Sequence, residues 1–173
     1  MRTLYLLRHA KSSWKDEGVD DLDRPLTKRG RTAAKAMRRC LARRKVLPAQ
    51  VLCSPSRRTR DTLAIVQGAF STAVPIRFEK GIYMAEAHTL LRRLKRLGDS
   101  LGSVMIVGHS PGLQDLALLL SEGRDSPARQ DLATKFPTCA LAVIESASEH
   151  WSQWEKGGAT VRSFVRAREL APA

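Results

Sequence analysis

The sequence predicts an α/β fold, a single domain of three layers in which helices cover both faces of a mostly parallel central sheet. Short, apolar, β-rich segments alternate with helical patterns along the chain, which is typical of parallel sheets. No internal repeat or low-complexity linker divides the chain. Its 173 residues are enough to bury a full core, so we expect one domain over 1–173.

Six segments are predicted as strands because they are short and rich in β-branched and other apolar residues. Between the last two, Gly157 and Gly158 predict a turn. The six are Thr3–Leu7, Gln50–Cys53, Val74–Phe78, Ser103–Val107, Cys139–Ile144 and Thr160–Val165.

Four segments are predicted as helices. The first runs from Thr27, a plausible N-cap, to about Arg44, and Pro48 lies beyond its end. Its small and apolar residues follow helical spacing at Ala33, Ala34, Met37 and Leu41. The other helices run from Pro55 to about Ala69, Ala87 to about Leu97 and Pro111 to about Leu120, and Glu122–Gln130 is predicted as a polar connection.

The composition is that of a soluble globular protein with a strong positive charge. The net charge is +13 and the pI is about 10.5, which favours acidic partners. Dispersed basic residues and an aromatic content of only 5% argue against nucleic acid. A merely solvated basic surface remains the alternative.

Targeting and cysteine signals are weak. No apolar run is long enough to cross a membrane, and Arg8 and Lys11 interrupt any secretion signal, so we expect a cytoplasmic protein. The cysteines Cys40, Cys53 and Cys139 lie far apart and favour neither disulfides nor a zinc site. We expect buried free thiols.

The first predicted strand ends in an Arg8-His9 pair. In open α/β sheets, ligands bind at the carboxyl ends of the strands. A guanidinium there can hold an anion, and an imidazole can attack it. The pair therefore predicts an anion-binding site.

Two further strand-to-helix junctions have related features. Ser54-Pro55 follows the second strand, with Arg58 about one helical turn later, and His109 precedes Ser110-Pro111 after the fourth strand. Each Ser is predicted as an N-cap and each Pro as the first helical residue. Helix N-termini favour bound anions because their first N–H groups are free.

The three junctions can converge at one sheet edge, bringing Arg8, His9, Arg58 and His109 into one pocket. Such a pocket is positive, holds two imidazoles and has no acidic cluster for a metal, so it suits a tetrahedral dianion such as a phosphoryl group. Taken alone, His109 is more often structural in a chain of this kind.

These motifs together resemble the histidine phosphatase superfamily, whose fold is called phosphoglycerate mutase-like, and most of all its short SixA-type phosphohistidine phosphatases. The resemblance covers Thr3 to about Leu120, and Ala10 replaces the usual Gly of the Arg-His-Gly signature. It implies that His9 is the nucleophile and that Arg8, Arg58 and His109 bind and stabilise the phosphoryl group. It also implies that Arg24 lies near the site as a substrate-binding residue.

The general acid is the weak point of the resemblance. Larger members carry a Glu or Asp after the third strand, where this chain has Gly81. Glu79 and Glu86 are close enough in sequence to substitute, and nothing in the sequence selects between them. A phosphohistidine substrate reduces the need for an acid, because imidazole is a better leaving group than an alkoxide.

The sequence therefore predicts a phosphatase that uses neither metal nor cofactor and acts through phospho-His9. The expected substrate is a phosphorylated protein with an acidic surface, because a short chain leaves a shallow, open site. Two alternatives remain open. One is a phosphatase of small phosphate monoesters, and the other is a non-catalytic binder of phosphorylated or nucleic-acid partners.

Overall fold

The computed structural model describes residues 1–170, which form six strands around which the helices pack. The strands are β1 Arg2–Arg8, β2 Gln50–Cys53, β3 Ile76–Phe78, β4 Ser103–Gly108, β5 Leu141–Ser146 and β6 Thr160–Val165. Their order in the sheet is β3-β2-β4-β1-β5-β6. The first four strands run parallel, while β5 is antiparallel to both β1 and β6. The predicted mostly parallel α/β sheet is confirmed.

The helices lie on both faces of this sheet. They are α1 Lys28–Arg43, α2 Arg57–Val66, α3 Ala87–Lys95, α4 Gly112–Leu120 and α5 Pro127–Thr134. On one face, α1 and α2 pack on β-strand residues such as Leu7 and Val51. On the other face, α3, α4 and α5 pack on Leu4 and Leu6. Because strand side chains alternate between the two faces, neighbouring residues of β1 serve separate cores.

The polar connection predicted over 122–130 is wrong, because α5 begins within it. Ser126 caps this helix by accepting a hydrogen bond from the Arg129 N–H at 3.0 Å, and Pro127 occupies the first turn. These are ordinary helix-start signals. Hydrophobic periodicity does not reveal this helix, because Leu132 is its single fully buried residue.

Two of the predicted N-caps are also wrong. Thr27 caps α1 as expected, but α2 is capped by Ser56, and Pro111 takes the cap position of α4 without a side-chain bond. Ser54 instead continues the line of β2, since its N–H donates to the Val107 carbonyl at 3.0 Å. Its hydroxyl is therefore free to contact another side chain.

The strand register aligns the carboxyl ends of β1, β2 and β4. Arg8 pairs with Gly108 and Cys53 pairs with Val107, so the next residue of each strand lies at the same sheet edge. The His9 N–H also donates to the Gly108 carbonyl at 3.1 Å. Within residues 1–170, no helix has the length and apolarity needed to span a membrane.

Candidate active site

A pocket of about 240 Å³ opens over this sheet edge. It is lined by Arg8, His9, Lys11, Ser12, Trp14, Asp21, Arg24, Arg58, Met84, His109, Ser110 and Thr138. The five residues predicted from the sequence to bind or react with a phosphoryl group all line it. The three junctions thus come together at one edge of the sheet.

His9 is held as a neutral imidazole with one nitrogen free. Its ring is 7% exposed, and its Nδ1 lies 2.7 Å from the Ala10 carbonyl oxygen. A carbonyl can only accept, so Nδ1 carries the proton and Nε2 keeps its lone pair. Burial, with smaller contributions from Arg58, Arg8 and Arg24, lowers the pKa of His9 to about 4. The ring is therefore unprotonated at Nε2 at neutral pH.

His109 faces His9, with 5.4 Å between the ring centroids. Its Nε2 lies 2.7 Å from the Ser54 hydroxyl, and its Nδ1 lies 3.4 Å from an Arg58 Nη2 that can only donate. Nδ1 is therefore the acceptor, and Nε2–H donates to Ser54. Burial, followed by the proximity of His9 and Arg58, lowers the pKa of His109 to about 3.

Arg58, predicted from the sequence to bind the phosphoryl group, lies beneath the pocket. It is 2% exposed. Its Nη1 donates to the Asp21 carbonyl at 2.7 Å, and its Nη2 donates to the Asp21 carboxylate at 3.0 Å. Arg57 points outward and pairs with Asp61. The guanidinium that faces the histidines is thus anchored by a single acidic residue.

Arg24 forms the outer wall of the pocket. Its Nε donates to Asp21 Oδ1 at 3.0 Å and its Nη1 donates to the Ser12 hydroxyl at 2.8 Å. The Trp14 ring, 71% exposed, stacks on the same guanidinium with 3.4 Å between the guanidinium carbon and the ring centroid. Arg24 is therefore held in place by neighbours on three sides.

Among the site residues that sequence reasoning missed, Asp21 and Tyr83 bear most directly on the predicted arginines and histidines. The Tyr83 hydroxyl donates to Asp21 Oδ2, and its ring lies edge-on to His109 with 5.3 Å between centroids. Burial alone would raise the pKa of Asp21, but hydrogen bonds from Tyr83 and Arg58, the Arg58 charge and Arg24 together lower it to about 2. The need of Arg24 and Arg58 for a counter-ion was the signal that could have identified Asp21 in its acidic loop.

Several donors of the pocket have no partner. In the described part of the chain, five buried side-chain polar atoms lack one, and three belong to pocket residues: Arg8 Nε, Arg58 Nε and Ser110 Oγ. Burial and the nearby Arg58 charge also lower the pKa of Arg8. Unpartnered buried donors cost free energy unless an acceptor binds them. The pocket is therefore built for an anion with several oxygens.

The two carboxylates considered as general acids lie outside this pocket. Glu79 forms a two-pronged ion pair with Arg93, with Nε to Oε1 at 2.7 Å, and that hydrogen bond is the main cause of its lowered pKa. Glu86 lines a separate cavity of about 60 Å³ that also touches His109 and Ser110. A Cβ at Gly81 would meet no atom within 4 Å, so that position is open space.

The site predicted from the sequence uses no metal-binding cluster and no cysteine. Within 1–170, no group of three or more His, Cys, Asp or Glu side chains is arranged to hold a metal ion. Cys40, Cys53 and Cys139 are buried free thiols, and burial raises the pKa of Cys53 and Cys139 to about 12. The titratable and polar side chains that line the pocket include imidazole, guanidinium, ammonium, carboxylate and hydroxyl groups.

Comparison with known proteins gives one consistent family. The model of the histidine phosphatase superfamily (branch 1) matches residues 4–83. An uncharacterised protein of Mycobacterium tuberculosis is 36% identical over 162 residues, which cover 91% of this chain and 98% of that protein.

Solved structures extend the likeness over the whole fold. A protein of Nakamurella multipartitia assigned as the phosphohistidine phosphatase SixA superposes with a TM-score of 0.83 at 28% identity, covering 95% of both chains. A protein of Agrobacterium tumefaciens with the same assignment gives 0.79 at 29% identity, covering 95% of this chain and 97% of its own.

Proposed function

Because the chain belongs to the histidine phosphatase superfamily and is a phosphatase, we propose that its substrate is phosphohistidine on a protein and that His9 is its nucleophile. The observation that carries the proposal is the hydrogen bond between His9 Nδ1 and the Ala10 carbonyl. It leaves Nε2 as a free lone pair inside a pocket of guanidinium donors. A nucleophile of this kind needs no base to activate it.

The unpartnered donors support the way in which the phosphoryl group binds. Arg8 Nε, Arg58 Nε and the Ser110 hydroxyl are buried and unused, and phosphoryl oxygens are strong acceptors for them. These groups are already in position before the substrate arrives. They would therefore stabilise the charge on the transferring group with little rearrangement.

His109 is suited to respond to the bound anion. Its neutral state reflects burial and the surrounding positive charge, both of which a dianion offsets. A phosphoryl dianion therefore favours an added proton on Nδ1, the nitrogen that faces Arg58. In that state His109 carries a positive charge beside the phosphoryl group, which stabilises the anion.

The reaction then has two steps. His9 Nε2 attacks phosphorus and the substrate nitrogen leaves with the bonding pair, which gives phospho-His9. Water next attacks phosphorus, His9 Nε2 regains its lone pair, and inorganic phosphate departs. No step requires a metal or an organic cofactor.

Phosphohistidine is favoured as the substrate for two reasons. The two structures at 28% and 29% identity are both assigned as SixA phosphohistidine phosphatases. The pocket is small, about 240 Å³, and its only carboxylate within the described residues is Asp21, which is bound by three donors. The net charge of +13 suits an acidic protein as the carrier.

A substrate comparison tests this proposal. We expect a phosphohistidine-bearing acidic protein to give a higher kcat/KM than p-nitrophenyl phosphate or sugar phosphates, and His9→Gln to abolish turnover of all of them. Equal or faster turnover of a sugar phosphate would identify a small-molecule phosphatase. Phosphate-dependent binding without turnover would identify a binding protein.

A further inference from the structure

The pocket contains one carboxylate among the described residues, Asp21, and it comes from a different segment than the one that the resemblance implies for a general acid. Asp21 belongs to the segment before α1, whereas the expected acid would follow β3, at the open position of Gly81. Tyr83, two residues after Gly81, reaches across and donates its hydroxyl proton to Asp21 Oδ2. The two segments are thus joined at this carboxylate.

Asp21 is arranged as a hydrogen-bond acceptor and not as a proton donor. Arg24 donates to Oδ1, and both Arg58 and Tyr83 donate to Oδ2. Hydrogen bonds of this kind favour the ionised carboxylate. The same contacts keep the proton on Tyr83, whose pKa is raised mainly by its hydrogen bond to Asp21. Neither group is suited to protonate a leaving group.

The carboxylate still has room for one more donor. Two carboxylate oxygens offer about four acceptor sites, and three are used here. The Asp21 side chain is 41% exposed and lines the pocket, so the remaining site is accessible to a bound molecule. A protonated ring nitrogen is a donor that fits it.

We propose that Asp21 accepts a hydrogen bond from the unphosphorylated ring N–H of the substrate phosphohistidine and so selects its protonated, phosphoimidazolium form. The inference rests on the proposed function and assigns a role to a residue outside the expected set. A substrate of this kind carries its own proton, which explains how the site works without a general acid in the pocket. Phosphate esters have no such N–H.

The transfer step then balances without proton movement. His9 Nε2 forms a bond to phosphorus, and the bond between phosphorus and the substrate nitrogen breaks. The bonding pair stays on that nitrogen, and the other ring nitrogen keeps its proton. The leaving group is therefore neutral imidazole rather than the far more basic imidazolate anion.

The enzyme's own intermediate has the same protonation pattern. Phospho-His9 keeps its Nδ1 proton on the Ala10 carbonyl, so it is also a phosphoimidazolium. When water attacks it, neutral His9 leaves in the tautomer that began the cycle. Asp21 would thus do for the substrate ring what the Ala10 carbonyl does for His9.

The test compares Asp21→Asn on two substrates, N-phosphoimidazole and p-nitrophenyl phosphate. The second has a leaving group that needs no proton, so it reports the general damage caused by loosening Arg58. We expect kcat/KM for phosphoimidazole to fall roughly ten- to hundredfold more than that for p-nitrophenyl phosphate, the usual cost of losing a hydrogen bond between charged groups. Asp23→Asn, an exposed residue of the same loop, is the matched control and should leave both unchanged.

The pH profile separates this role from a structural one. A carboxylate beside the bound ring raises the ring pKa in the complex, so Asp21→Asn should move the alkaline limb of kcat for phosphoimidazole to lower pH. Tyr83→Phe retains the carboxylate and should retain the substrate preference. Equal losses of kcat/KM on both substrates, with no shift of the alkaline limb of the pH profile, would overturn the inference. That result would leave the proposed function intact if phospho-His9 still formed. A failure to form phospho-His9 would instead overturn the proposed function.

Discussion

Two arginines at the same edge of the sheet differ in how their guanidinium groups are paired. Arg8 ends β1 and Arg166 follows β6, and these strands run in the same direction. Arg166 donates to Asp131 at 2.8 Å and to Glu169 at 3.0 Å, and the Asp131 hydrogen bond is the main cause of its raised pKa. Arg8 donates to the Phe136 carbonyl, its Nε has no partner within residues 1–170, and burial lowers its pKa.

The difference separates a structural cation from a functional one. A buried charge is costly unless it is paired, and Arg166 is paired within the chain. Within residues 1–170, Arg58 shares the Asp21 carboxylate with Arg24, while Arg8 bonds a backbone carbonyl only. Arg8 and Arg58 each keep an unused donor. In the proposed function, the phosphoryl group of the substrate supplies their missing partner. Incomplete pairing, rather than charge itself, therefore marks the site.

The strongest test of this comparison replaces each arginine by methionine. Arg8→Met should lower kcat/KM about 100- to 1000-fold, as the loss of one preorganised donor does, and change the free energy of unfolding by less than about 1 kcal/mol. Arg166→Met should leave kcat/KM unchanged and lower the free energy of unfolding by about 1–3 kcal/mol. Kinetics and urea unfolding on both variants check this, and matching effects from the two would break the comparison.

The dependence of the free energy of unfolding on acid pH gives a second test of the pocket, because burial keeps the imidazoles of His9 and His109 neutral. The pKa of His9 is about 4 and that of His109 about 3, both below the ordinary 6.5. The unfolded chain therefore binds more protons below pH 6.5. The free energy of unfolding should be largest above that pH and fall by about 1 kcal/mol per pH unit for each histidine as the pH drops towards 4.5.

The control for this prediction is an exposed histidine. Urea titrations at several pH values should give a shallower slope for His9→Gln, while His88→Ala, an exposed residue, keeps the slope of the parent protein. If His9→Gln leaves the slope unchanged, His9 is not held neutral by burial.

Trp14 gives a smaller effect because it is exposed and acts through Arg24. Stacking between a cation and an aromatic ring at such a position contributes about 0.5–1 kcal/mol. Trp14→Leu should therefore lower kcat/KM for the phosphoprotein about two- to fivefold, mainly through KM. A loss as large as that of Arg8→Met would mean that Trp14 contacts the reacting group.

The smallest effects are expected at the two remaining glutamates. Glu79 is bound to Arg93 away from the pocket, and Glu86 lines a separate cavity beside His109. Glu79→Gln and Glu86→Gln should each keep kcat for phosphohistidine within about threefold, because a leaving group that brings its own proton needs no acid. A large loss in Glu86→Gln, measured on folded protein, would identify it as the acid and contradict the role given to Asp21.

The strand-to-helix junctions made most of the site predictable. His9, Arg58 and His109 follow apolar segments predicted as strands of one parallel sheet, so the fold class allowed their convergence. The strand order β2-β4-β1 in the structure brings the three junctions together. Arg58 was expected at the site from its position in the second junction, and the structure buries it at the pocket.

The rest depended on contacts between distant segments. Asp21 lies in an acidic loop and Tyr83 in an unremarkable turn, and their pairing exists only once the chain is folded. Ser54 and Ser56 both carry a hydroxyl that could cap α2, and the structure uses Ser56. Ser54 is instead held by the pairing of its backbone N–H with the Val107 carbonyl of β4. Local patterns cannot resolve such competition.

The most direct test of the central claim is to trap the phosphorylated enzyme. Rapid acid-free quenching after mixing with a radiolabelled phosphohistidine protein should give label that is acid-labile, alkali-stable and mapped to His9, and His9→Gln should carry none. Label on another residue, or full turnover without any labelled enzyme, would contradict the account.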